Sequence, residues 1–178
     1  KLPTNTLIIS SFQRDTEGSD LITPKLEKGP DIFCNAVESI SKLKDVHVLL
    51  NGWRRQYVMT ELEKRKIPFT YYELPAIEDV VKMYSATDLY IVGSRVEGGP
   101  QSLLECAITE TPILSTDVGM AREVISHRCV TDDFKDIDNL INNAFEDVKV
   151  NHEIVQKFLI ENQVQKYDNL FEKIARVQ

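Results

Sequence analysis

Residues 89–119 read LYIVGSRVEGGPQSLLECAITETPILSTDVG, and the order of patterns in this stretch decides the fold class. Residues 89–93 are apolar at successive rather than alternate positions, the mark of a strand covered on both faces. Gly98 and Gly99 then loosen the chain ahead of Pro100, and proline suits a first helical position because its missing N–H costs nothing there. Leu103, Leu104, Cys106, Ala107 and Ile108 press a short helix onto a sheet, and residues 112–116 (PILST) return as a second apolar strand. Strand, tight loop, helix and strand in succession make a right-handed crossover between parallel strands.

The same alternation extends outward in both directions. Residues 6–10 (TLIIS), 46–51 (VHVLLN), 69–73 and a short piece near 129–131 read as strands. Residues 30–43 carry Ile32, Phe33, Ala36, Val37 and Ile40 at helical spacing; residues 56–66 carry Val58, Met59 and Leu62, and residues 77–86 carry Val80, Val81 and Tyr84. From Phe134 onward the chain is helical and polar, with Leu140, Ile141, Phe145, Val155, Phe158, Leu159, Tyr167, Leu170, Phe171 and Ile174 expected as apolar anchors. The expected fold is α/β: a Rossmann-like doubly wound parallel sheet of about six strands, helices on both faces, and a C-terminal helical extension, in one domain over residues 1–178.

Bulk properties remove several function classes. The 178 residues carry 21 basic and 28 acidic side chains, a net charge of −7, which speaks against a nucleic-acid partner because that needs a basic face. No apolar run reaches the length of a membrane span and the N-terminus is not a signal peptide, so a cytoplasmic protein is expected. Cys34, Cys106 and Cys129 are odd in number and far apart, and read as reduced core thiols. His47, His127 and His152 lack ligand spacing. Asp136-Ile137-Asp138 spells Asp-x-Asp, but among polar residues opening a helix it reads as an acidic first turn, and Asp132-Asp133 as a cap before Phe134. No metal site and no cofactor are expected.

Ligands of doubly wound sheets bind beyond the carboxyl ends of the strands. After the glycine pair, the amides of Gln101, Ser102 and Leu103 point out of a helix start, where the partial positive charge makes an anion site suited to a diphosphate. Glu97 precedes the glycines, and Glu105 sits about one turn into the helix with its side chain leaning back toward that start. Two glutamates also suit a glycosidase acid and nucleophile, but the anion site favours a phosphorylated donor. A dinucleotide-binding loop is not indicated, since the first strand runs into SFQRDTEG rather than G-x-G-x-x-G. The structural alternatives are plain: Glu97 as an anion at a helix start, Glu105 as a hydrogen-bond partner, and solvated charges at Arg14 and Lys28. Gly52, after the second strand, fits a loop facing the same ligand crevice, and Trp53, Arg54 and Arg55 beside it read equally well as a surface turn.

The segment S-x-x-E-G-G-P-x-S-L-L-E-C, with Glu97 and Glu105 spaced as Glu-x7-Glu, together with T-P-I-L-S-T-D-V-G and the helix ending K-M-Y-S-A-T-D, resembles the C-terminal donor-binding domain of GT-B retaining glycosyltransferases of family four, the group 1 type. The likeness runs from about residue 7 to residue 125 and is general beyond it. It implies a nucleotide-diphosphate sugar bound without metal and transferred, with retained configuration, to a glycan or lipid-linked acceptor. Glu97 would hold donor-sugar hydroxyls as the catalytic positioning residue and Glu105 the ribose hydroxyls. The amides of Gly98, Gly99, Ser102 and Leu103 would line sugar and diphosphate. The family's arginine and Lys-Gly clamp falls on Arg14 and on Lys28-Gly29, across a longer segment that leaves Lys25 open as a substitute. Glu73-Leu74-Pro75 stands where many members have a glycine. The acceptor-binding N-terminal domain of such enzymes lies outside this chain, so weak activity of the chain alone is expected. The full-length enzyme would be cytoplasmic, with a peripheral position at the inner membrane face open to it. A non-catalytic nucleotide-sugar module and a sugar-nucleotide epimerase are the other readings.

Overall fold

The computed structural model describes residues 2–176. Six strands form one sheet: β1 (Leu7–Ser11), β2 (Val46–Asn51), β3 (Phe69–Tyr72), β4 (Leu89–Val92), β5 (Ile113–Thr116) and β6 (Val130–Thr131). All pairings are parallel, in the order β3-β2-β1-β4-β5-β6, with Ile9 in register with Val48 on one side and with Leu89 on the other. The crossovers are α1 (Pro30–Ser41), α2 (Gln56–Lys64), α3 (Ile77–Ser85), α4 (Gln101–Ile108) and the four-residue α5 (Ala121–Val124); α6 (Ile137–Glu146), α7 (Val148–Gln156) and α8 (Ile160–Ala175) follow.

Period-two alternation sorts the strand residues onto two apolar faces. Ile9, Val48, Leu50, Leu89, Ile91 and Leu114 pack under α1, α2 and α6. Ile8, Leu49, Tyr90, Val92 and Ile113 face α3, α4 and α5. Strands apolar on both faces can only be buried between helix layers, which is why successive apolar residues in the sequence mark them. Cys34, Cys106 and Cys129 are free and buried among these side chains, and burial pushes their thiols up, to about 12 for Cys34 and about 11 for Cys129.

Several local expectations change. Pro100 stands at the cap of α4 rather than inside it, with Gln101 the first helical residue. Asp133 caps no helix: it accepts from the Lys135 amide at 3.2 Å, and α6 opens behind Asp136 with Asp138 in its first turn. The largest change is in α8. Tyr167, Leu170, Phe171 and Ile174 are 50–62% exposed and no residue of the helix is buried, so these side chains are not anchors within this chain. Phe145 is also exposed. Among the described residues no helix is long and apolar enough to cross a membrane.

Candidate functional site

The sheet reverses its winding between β1 and β4, its two central strands: β1 leads through α1 to β2 on one side, and β4 leads through α4 to β5 on the other. The loops leaving their carboxyl ends diverge and open a crevice. Backbone contacts set its walls. Gly29 has φ +58°, and a Cβ there would lie 1.7 Å from the Gly93 carbonyl oxygen; Gly119 has φ +49°, and a Cβ there would lie 2.3 Å from that of Gly98. Only glycine tolerates such approach together with the left-handed conformation. The amides of Arg95 and Val96 both donate to the Glu27 carbonyl, at 2.8 and 3.1 Å, tying the loop after β4 to the 3-10 turn Leu26–Lys28.

A cavity of about 360 Å³ lies in this crevice, with Gln13, Lys28, Tyr84, Glu97, Ser102 and Glu105 among its lining residues. Lys28 Nζ is ion-paired with Glu97 Oε1, their side chains 27% and 16% exposed. Glu105 is exposed at the rim, where its Oε2 accepts from the Tyr84 hydroxyl at 2.5 Å. The floor is aromatic: Phe12 meets Tyr84 and Tyr90 edge-on, with centroids 5.0 and 5.2 Å apart. Tyr90 Oη accepts from the Phe12 amide at 2.8 Å. Burial, then neighbouring Tyr90 and Cys106, pushes the Tyr84 hydroxyl far above the usual phenol range, so it keeps the proton it donates to Glu105. Burial likewise raises Tyr90, against the opposing pull of the Phe12 amide and the Ser102 hydroxyl.

The structure thus brings Lys28, Glu97, Gly99, Ser102 and Glu105 to one cavity. Gly98 sits in the same loop, with nothing within 4 Å of the place a Cβ would occupy. Leu103 differs from the expectation in one respect. Its side chain is fully buried, and its amide donates to the Pro100 carbonyl at 3.1 Å rather than pointing free. Arg14 and Lys25 lie outside the lining: Arg14 Nε donates to the Thr16 carbonyl at 2.7 Å with its guanidinium 5.5 Å from the Trp53 ring centroid, and Lys25 pairs with Glu27 at 3.3 Å. Lys28 is the cation at the cavity. A second cavity, about 370 Å³ beside α3 with Leu2, Leu49, Tyr72 and Met83 in its wall, lacks converging carboxylates. Among the described residues no group of three or more His, Cys, Asp or Glu could hold a metal ion.

Three residues around the site have roles that the sequence-based expectations do not contain. Arg55, left open between a crevice-facing loop and a surface turn, is 1% exposed and the largest fully buried side chain among the described residues. Its Nε is 3.1 Å from Asp15 Oδ2, also buried, without hydrogen-bond alignment, and its Nη1 donates to the Gln13 carbonyl. Burial raises the Asp15 carboxyl to about 6 despite the attraction of Arg55, and lowers Arg55 for the same reason. Gln13 lines the cavity and donates through Nε2 to the Lys28 carbonyl at 2.8 Å. The sequence offers no local signal for these roles, since the partners are 15 and 42 positions apart.

Comparisons with known proteins agree with this architecture. The O-antigen biosynthesis glycosyltransferase WclY of Escherichia coli is 21% identical over 159 residues, covering 84% of this chain and 44% of that protein. The chain therefore spans less than half the length of the curated relative it matches. A glycosyltransferase from Rickettsia africae ESF-5 superposes with a TM-score of 0.79 at 17% identity, over 99% of this chain and 50% of that one. Anabaena HepE, crystallised with UDP and glucose, superposes at 0.67 and 17% identity, over 97% and 49%. At such identities these structures share the fold. The sequence profile of the glycosyl transferases group 1 matches residues 24–167, and the chain belongs to that family.

Proposed function

We propose that this chain is the donor half of a retaining glycosyltransferase, binding a nucleotide-diphosphate sugar at the β1–β4 crevice without a metal ion. The observation that carries the reading is that one cavity holds a cation, a helix start and two carboxylates. Lys28 and the amides of Gln101 and Ser102 face the diphosphate, where charge grows as it leaves. Glu105, its other oxygen free of Tyr84, accepts from the ribose hydroxyls. Glu97 accepts from donor-sugar hydroxyls and fixes the anomeric carbon. The bound complex of Anabaena HepE with UDP and glucose makes a uridine donor the first to try.

Retention follows when the acceptor hydroxyl attacks on the face from which the diphosphate departs. The bond from the anomeric carbon to phosphate oxygen breaks, the bond to the acceptor oxygen forms, and the hydroxyl proton passes to the leaving phosphate. Glu97 then positions rather than acts as a base. The acceptor, a glycan or lipid-linked hydroxyl, belongs on a further domain of a protein about twice this length, so donor binding without fast transfer is expected of this chain. A thermal-shift panel of UDP-, GDP-, ADP- and dTDP-sugars tests this. One metal-independent responder, raising stability by roughly 2.7 kcal/mol at 100 times its dissociation constant, supports the reading. A flat panel, with and without Mg²⁺, overturns it, and product formed without acceptor identifies an epimerase instead.

A further inference from the structure

The Lys28 main chain at the cavity leans on one uncharged side chain, and Lys28 in turn holds Glu97 as its ion-pair partner. Gln13 Nε2 donates to the Lys28 carbonyl at 2.8 Å, and the Ser94 hydroxyl lies 3.4 Å from Gln13 Oε1 and 3.4 Å from Glu97 Oε1. Ser94 is fully buried, and its own carbonyl accepts from Thr116 Oγ1 at 2.5 Å. Gln13 is held in turn by Arg55, whose Nη1 donates to its main-chain carbonyl. Main-chain bonds that start at Asp15 fasten the rest of the loop. Asp15 N donates to the Arg54 carbonyl at 3.1 Å, Asp15 O accepts from Lys25 N at 2.8 Å, and Lys28 N donates to the Lys25 carbonyl at 2.9 Å.

Arg55 does not line the cavity and has 1% of its surface exposed, so it has no path to a ligand. A buried ion pair is costly to desolvate, and an apolar pair of equal volume often serves stability as well. What the apolar pair lacks is a donor for the Gln13 carbonyl. Reacting groups must be held to within about half an ångström, by neighbours that are themselves locked.

We propose that Arg55 is a positioning residue for the donor site: through Gln13, its buried guanidinium fixes the Lys28 main chain, and so where Lys28, with Glu97 as its ion-pair partner, presents its charge to the diphosphate sugar. The role rests on the donor-site reading above and extends it to a residue that never meets the ligand. It explains why a guanidinium is buried at a loop that water would otherwise reach.

The test joins calorimetry against UDP, GDP, ADP and dTDP with amide hydrogen exchange on the same chains. The variants are Arg55→Lys, Gln13→Ala, their double, and the apolar pair Asp15→Leu with Arg55→Met. In Arg55→Lys and Gln13→Ala, the nucleoside diphosphate that binds the wild type should bind roughly tenfold more weakly, as for one lost hydrogen bond near a charged group. The double should be no weaker than the worse single, since both act on one path. The amides of Arg95 and Val96 should exchange faster while β4 keeps its protection. The apolar pair should unfold near the wild-type midpoint yet show the same tenfold loss, and it decides the matter if Arg55→Lys does not fold. Unchanged affinity and exchange in a folded Arg55→Lys or apolar-pair variant overturns the role and leaves the donor site standing; so do additive losses. A wild type that binds none of the four overturns the donor site, and the role with it.

Discussion

Asp15–Arg55 and Lys28–Glu97 stand at the two ends of the loop that follows β1, and water reaches only the second. The first pair is 1% exposed on each side and locked by backbone bonds; the second is 27% and 16% exposed and opens onto the cavity. Burial sets what each can do. A pair sealed in the interior cannot exchange partners, and removing one member strands the other charge. A pair at a cavity mouth can release its cation to an anion that arrives from solvent, because both states stay hydrated.

The sharpest way to break this contrast is to remove one cation from each pair. Arg55→Met leaves Asp15 buried without its counter-charge and should cost about 3–5 kcal/mol of unfolding free energy. Lys28→Met should cost no more than about 1 kcal/mol, since Glu97 keeps contact with water. Urea titrations of the two variants settle it, and equal losses would erase the distinction. The next effect is in pH. The folded-state Asp15 carboxyl is raised to about 6 from an unfolded value of about 3.9. Between those values the native chain holds more protons than the unfolded one, so this group's contribution to stability falls as pH rises through about 4 to 6. The loss amounts to at most about 3 kcal/mol, and Asp15→Asn should abolish it. Parallel stability–pH curves for wild type and variant would place Asp15 in an ordinary solvated setting.

Affinity should reverse the ranking seen in stability. On the proposed donor reading, Lys28→Met removes a charge-assisted contact to the diphosphate and should weaken nucleoside-diphosphate binding by about 1.5–3 kcal/mol, read by calorimetry on a chain that melts almost where the wild type does. Wild-type affinity in that variant would transfer the clamp to Arg14 or Lys25, both of which here point elsewhere.

What the sequence made legible follows physical range. β2 and the start of β4 are readable to the residue, because burial on both faces writes itself into consecutive Val, Leu and Ile. β1 runs two residues further than its apolar letters, since Ser10 and Ser11 are buried polar residues, Ser10 bonding to Thr87 Oγ1 at 2.6 Å. Glu97 and Glu105 are readable because loop and helix place them within nine consecutive residues. Gln13, Asp15 and Arg55 are not: each role depends on a partner brought close only by the assembled sheet, and an Arg-Arg pair after a glycine looks the same whether one guanidinium is exposed or buried. α8 fails in the opposite direction. Its spacing announces an apolar face, but periodicity says nothing of what covers that face.

The smallest expected effect tests the rim of the cavity, where the contrast between buried and exposed groups meets in one hydrogen bond. Tyr84 is 4% exposed and its hydroxyl reaches out to the solvent-facing Glu105 at 2.5 Å. Because the phenol is raised far above its ordinary range, it donates across the whole accessible pH range and never competes with the carboxylate as an anion. Tyr84→Phe keeps the ring that packs on Phe12 and Tyr90 and removes only the donor. Glu105 then regains water in exchange, so stability should change by about 0.5–1.5 kcal/mol. Donor affinity should fall by about 1 kcal/mol at most, because the carboxylate keeps its charge and loses only its fixed orientation. A much larger loss of affinity would mean that the Tyr84 hydroxyl itself meets the ligand. No loss at all would mean that Glu105 is oriented by the helix alone.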